Sequence, residues 1–176
     1  MEVYSFMNEK LEKFLDPKKY REKKAKDFLN KIKNLDFGQF NYTNDDAIKG
    51  TAKDKVNDYI FGDSGVKETS KKLYEVISEE LKKDQNVKKA AKNKKSSCYY
   101  LSEIQTACAE FNAINENSNL EQIIKACDNL RRKFLSARSY SNKYSFLSVE
   151  GVKKYMGTQH ENFRNSVDNM KRLKKN

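Results

Sequence analysis

One proline, Pro17, and six glycines punctuate 176 residues. This scarcity of breakers constrains the fold more than any other feature of the chain. Sheets joined by tight turns need Gly, Pro or Asn-Gly at most reversals, and too few are present. Between the breakers, apolar residues recur at steps of three and four among Leu, Glu, Lys and Ala, which is the pattern of amphipathic helices. The fold class expected is all-α: a single-domain, irregular helical bundle of about seven helices spanning 1–176, with a central antiparallel helix hairpin.

Apolar residues make up 37% of the chain and charged residues 35%, values at which disorder has to be considered. Ten Tyr and ten Phe argue against it, because many of them recur at helical spacing. A chain of this length buries roughly two thirds of its unfolded surface, so it needs no metal or disulfide to fold.

The helices can be placed along the chain. Segment 2–15 sets Val3, Phe6, Met7, Leu11, Phe14 and Leu15 on one face. Asp16-Pro17 ends it and opens the next helix, with Asp as N-cap and Pro in the first helical position. That helix runs to about Leu35 and turns Tyr20, Ala25, Phe28, Leu29, Ile32 and Leu35 inward. Asp36 to Asn44 is irregular, and Phe37, Phe40 and Tyr42 suggest a short extended piece. A third helix carries Ile48, Ala52, Val56, Tyr59 and Ile60 across Gly50. A fourth, capped by Asp63 or Ser64, carries Val66, Leu73, Val76, Ile77 and Leu81. Residues 82–96 hold few apolar groups and read as a solvated helix or a mobile linker, the one place for a weak domain boundary. A fifth helix starts at Ser96 or Ser97 and buries Tyr100, Leu101, Ile104, Cys108, Phe111 and Ile114. Ser118-x-x-Glu121 has the form of a capping box for a sixth, with Leu120, Ile123, Ile124, Cys127, Leu130, Phe134 and Leu135. The short turn between these two predicts the hairpin over 97–136. Ser148 caps a last helix. Gly157 with Thr158-x-x-Glu161 predicts a stop and restart, although the stripe continues through Phe163, Val167 and Met170.

The net charge of +11 is segregated. Residues 17–33 and 82–95 each carry +6, and 131–143 and 153–176 each carry +5, whereas 36–81 and 103–130 each sum to −4. AT-rich codons encode Lys, Asn, Tyr, Ile and Phe, so base composition accounts for part of the Lys excess. Arg131, Arg132 and Arg138 are less readily explained that way, and the guanidinium fork suits phosphate or carboxylate. The candidate anion- or partner-binding residues are Lys88, Lys89, Lys92, Lys94, Lys95, Arg131, Arg132, Lys133 and Arg138. Solvated helix faces are the plainer account of such charge runs.

Catalytic signatures are missing. His160 is the sole histidine, and His160-Glu161 fails as H-E-x-x-H because position 164 is Arg. Asp36-Phe37-Gly38 lacks every companion of the kinase tripeptide, and Asp45-Asp46 lacks EF-hand spacing. No Gly-rich phosphate loop is present. No enzyme, cofactor or metal site is therefore expected. Cys98, Cys108 and Cys127 are odd in number and read as reduced thiols. No apolar run reaches the ~20 residues that cross a bilayer, and MEVYSFMNEK carries acid where a signal segment carries base. The expectation is a cytoplasmic protein, or one exported by a non-classical route. The leading functional reading is a non-enzymatic binding protein, of adaptor, inhibitor or effector type, whose basic segments steer an acidic protein partner. Nucleic-acid binding through a composite Lys/Arg patch is the alternative. Docking on an anionic membrane ranks lower, since no single helix joins a basic face to a large free apolar one.

Overall fold

The computed structural model describes residues 2–175, with side chains from residue 9 to residue 174. The described chain is all-helical, without a strand. The α-helices are α1 (Glu2–Leu15), α2 (Pro17–Ile32), α3 (Asn44–Lys49), α4 (Ala52–Phe61), α5 (Val66–Lys82), α6 (Val87–Ala90), α7 (Ser97–Ala113), α8 (Leu120–Ser139) and α9 (Glu150–Lys175), with a 3-10 turn at Phe146–Ser148.

Helices α7, α8 and α9 carry much of the buried apolar surface, including Leu101, Ile104, Phe111, Leu130, Phe134, Phe163 and Met170. α2 and α5 add Phe28, Ile32, Leu73 and Ile77 to the same contiguous core. Glu110 accepts from the Asn129 amide at 3.1 Å, and Lys133 meets Glu103 at 2.7 Å, so polar pairs flank the apolar contact of α7 with α8. Asp16 caps α2 as its sequence predicts: its carboxylate accepts from the Lys19 amide at 3.1 Å, with Pro17 in the first turn. Ser96 caps α7 in the same way.

Segment 35–43 has no regular secondary structure, and Gly38 within it takes a left-handed φ of 64°. Its Phe37 and Phe40 rings are 2% exposed, and Phe37 lies between Phe134 and Phe163 at 5.7 and 5.0 Å. Burying such a segment leaves backbone groups that need partners. One face of α9 supplies them. Gln159 accepts from the Phe37 amide at 3.0 Å, Ser166 accepts from the Phe40 amide at 2.9 Å, and Asn169 donates to the Phe40 carbonyl at 3.0 Å. The Tyr155 hydroxyl donates to the Leu35 carbonyl.

Several local expectations differ from the structure; Ser148, for one, lies in the 3-10 turn before α9 and its hydroxyl donates to the Ser145 carbonyl instead of capping the helix. The single helix expected over 48–60 is two, because Gly50 takes a left-handed φ of 67° and closes α3. Ile48, expected inside, is therefore 84% exposed. The capping box of α8 is Asn119 with Gln122, one residue beyond the expected Ser118 with Glu121. Ser118 is engaged elsewhere, since its hydroxyl accepts from the Asn115 amide and closes the turn. Neither Asp63 nor Ser64 caps α5, whose N-cap is Gly65 with no side-chain bond. Finally, α9 runs unbroken through Gly157. A helical Gly costs about 1 kcal/mol against Ala. Burial of Val152, Met156, Phe163, Val167 and Met170 in one register outweighs that cost.

Helix α1 departs most. Its stripe residues Leu11, Phe14 and Leu15 are 55%, 83% and 71% exposed. The side chains of Val3, Phe6 and Met7 lie outside the described residues. Among the described residues, no helix is long and apolar enough to cross a membrane.

Candidate functional site

The basic segments approach one another through backbone bridges. The Lys95 carbonyl accepts from the Tyr140 hydroxyl and, at 3.1 Å, from the Asn142 amide. This joins residues 82–95 to 131–143, and the Tyr100 and Tyr140 rings lie 4.3 Å apart, tilted by 31°, behind the junction. The Arg21 guanidinium donates to the Lys143 carbonyl and brings in segment 17–33. Three of the four basic segments thus border one region. The end of α9 lies apart from it: Lys174 faces Glu121 at the start of α8, and Arg172 covers the Tyr42 ring.

The nine candidate residues divide into two groups. Lys88, Lys89, Lys92, Lys94 and Lys95 are all exposed on α6 and the turns after it. Half-buried Val87 and Ala90 hold this segment against the core. None of the five lysines has a carboxylate within ion-pair distance among the described residues. The α8 cations are engaged within the fold. Arg131 Nε lies 2.8 Å from Asp128, Arg132 lies 3.7 Å from the same carboxylate, and Lys133 meets Glu103. Arg138 lies over Gly157, where an added Cβ would come within 3.2 Å of its Nε. The structure does not unite the arginines with the five lysines as one bare patch.

At the junction a cleft of about 220 Å³ opens, bordered by Lys13, Lys24, Lys95, Tyr140 and Tyr144 and by Ser96 and Ser97 at the start of α7. Sequence reasoning missed Lys13 and Lys24, because no local pattern reports a contact between α1, α2 and the turn before α7. Of the acids at this cleft, Glu80 is compensated by lysines. The Glu80 side chain is 6% exposed, with Lys24 at 3.1 Å and Lys83 at 3.3 Å. Burial alone would lower the Lys24 pKa, but Glu80, Tyr20 and Glu9 together outweigh this and raise it above the ordinary value. Asp84 accepts from the Cys98 thiol at 3.4 Å. Burial raises the Cys98 pKa, Ser96 opposes this and Asp84 adds to the rise, so the thiol stays protonated and unreactive at neutral pH.

His160 is buried and its Nδ1 lies 3.2 Å from the Arg131 carbonyl, a structural contact. Cys108 and Cys127 are buried, and burial pushes both thiols far above their ordinary pKa. Among the described residues, no three His, Cys, Asp or Glu side chains converge as a metal site. No protein-family model, no curated protein and no solved structure matches this chain.

Proposed function

We propose that the chain is a non-enzymatic helical binding protein whose lysine segment engages the acidic surface of a protein partner. The observation that carries this reading is the state of Lys88, Lys89, Lys92, Lys94 and Lys95: five exposed cations within eight residues, none answered by a carboxylate among the described residues. Lys24, Lys55, Lys83 and Lys133 each meet an acid. Clustered bare cations repel one another and contribute nothing to the fold, but they raise the local potential that steers an anionic partner. The platform beneath them is a single domain built on an antiparallel hairpin of α7 and α8, a reading supported by the Glu110–Asn129 and Glu103–Lys133 pairs. The test is affinity capture from native host extract with the parent chain and a Lys88→Glu, Lys92→Glu, Lys95→Glu variant. Partners with acidic surfaces that only the parent retains support the reading. Identical captured sets from both chains refute it.

The second reading is nucleic-acid binding. It is favoured by Tyr144, which is 56% exposed, lies under the Lys143 ammonium at 4.9 Å and borders the same cleft as Lys95. An exposed ring beside lysines suits base stacking. Titration with a single-stranded oligonucleotide across salt decides it: a steep log–log slope supports the reading, and no binding at low salt ends it.

A further inference from the structure

The apolar stripe of α1 keeps helical spacing, yet the fold does not cover it. Leu11, Phe14 and Leu15 protrude at the elbow where α1 meets α2, whereas Glu12 of the same helix turns back to pair with Lys23 at 3.6 Å. The helix is thus amphipathic, with its described apolar residues turned to solvent. We propose that this elbow is a docking face for an anionic lipid surface, with Leu11, Phe14 and Leu15 entering the interface and Lys13, Lys18 and Lys19 meeting the headgroups.

Two features of the elbow select this occupant. The first is charge. Lys13, Lys18 and Lys19 are exposed beside the strip and have no ion-pair partner among the described residues. The acids in between are engaged, Glu12 by Lys23 and Asp16 by the Lys19 amide. What remains around the strip is an uncompensated positive rim, the complement of anionic headgroups. The second is shape. Side chains exposed to 83% and 71% stand out into solvent at the elbow. A protein partner would need a matching pocket, whereas the boundary between headgroups and acyl chains receives protruding Phe and Leu side chains without one. Tyr144 and Lys13 border the same cleft, so a half-exposed phenol ring lies close to the elbow. Rings of that kind settle at headgroup depth. The proposal rests on residues other than the five bare lysines and is independent of the protein-partner reading.

The test is co-sedimentation of the full chain with phosphatidylcholine vesicles, with and without phosphatidylserine. Phe14→Ser, Leu15→Ser is compared with Lys18→Glu, Lys19→Glu, and circular dichroism is used to verify that each variant keeps its helicity. These side chains are exposed, so folding should survive. The parent should pellet with the anionic vesicles and not with the neutral ones. The serine variant should lose about tenfold in partition for each apolar side chain removed, and the charge variant should lose binding that added salt also weakens in the parent. Either of two results overturns the proposal: no binding of the parent to anionic vesicles, or serine-variant binding equal to the parent's. Concentration-dependent dimerisation abolished by Phe14→Ser, Leu15→Ser would assign the strip to a second copy and also overturn it.

Discussion

The Ser166 hydroxyl lies 2.9 Å from the Phe40 backbone amide, across 126 residues of chain. It accepts from that amide and lies 2.9 Å from the Tyr59 hydroxyl, which reaches the Gly38 carbonyl at 3.2 Å. One small side chain therefore holds the irregular segment after α2, α4 and α9 in a single network. Ser166→Ala leaves the Phe40 amide buried without a partner. The expected loss is about 1–3 kcal/mol, read as a lower urea midpoint with an unchanged slope. An unchanged midpoint would show that water or another group takes over.

The Lys24–Glu80 pair should show its worth in its pH dependence. Lys24→Met leaves the buried carboxylate with Lys83 alone, and stability should fall by about 1–3 kcal/mol, less than the roughly 3–5 kcal/mol of an unaided buried charge. The Lys24 pKa is raised above 10.5 in the fold. The stabilisation is therefore full below the unfolded value and disappears as pH rises through the folded one. Thermal unfolding of parent and variant should differ at neutral pH and converge at strongly alkaline pH.

Asp46 gives the opposite sign. Lys55 at 2.6 Å, followed by the Thr43 amide and hydroxyl, holds its pKa at about 2 against an ordinary 3.8. Its contribution is present above the ordinary value and is lost as pH falls towards the depressed one. Asp46→Asn should therefore weaken the start of α3 at neutral pH and matter progressively less as pH falls through that window. Amide exchange of residues 43–49, compared between parent and variant, reads this directly.

Two glycines should respond oppositely to alanine. At Gly157 the new Cβ would meet the flexible Arg138 side chain at 3.2 Å, which can shift. Gly157→Ala should stabilise by up to about 1 kcal/mol through helix propensity. At Gly62 the new Cβ would come within 2.4 Å of the Asp58 carbonyl oxygen, which is fixed in α4. Gly62→Ala should destabilise by about 1–3 kcal/mol. Melting temperatures of both variants check the pair, and the same sign of shift in both would contradict this account.

Periodicity and caps made much of the fold legible. Ala25, Phe28 and Ile32, and Leu101, Ile104, Cys108 and Phe111, are buried where their spacing places them. Asp16 and Ser96 cap the helices they precede. These signals are local, and a helix registers them within one or two turns. The Gly157 stop was misleading for the same reason: a local breaker costs about 1 kcal/mol, and long-range packing of α9 exceeds it. The candidate site was legible in part. The lysine run at 88–95 is visible as composition, but whether each lysine meets an acid is a matter of contacts. Asp128 and Glu103 engage Arg131, Arg132 and Lys133 on α8, whereas no carboxylate among the described residues meets the lysines of 88–95.

Propensity, capping and spacing act over a few residues, so the helical character of this chain and the place of most of its helices are written in its residue order, as is the segregation of its charge. Which amphipathic faces are covered is settled by long-range packing. The stripes of α1 and α5 have the same form in sequence, yet Leu73 and Ile77 are buried and Phe14 and Leu15 are in solvent. A hydrophobic stripe states a demand for a partner surface; whether the rest of the chain supplies that surface depends on contacts far apart in sequence.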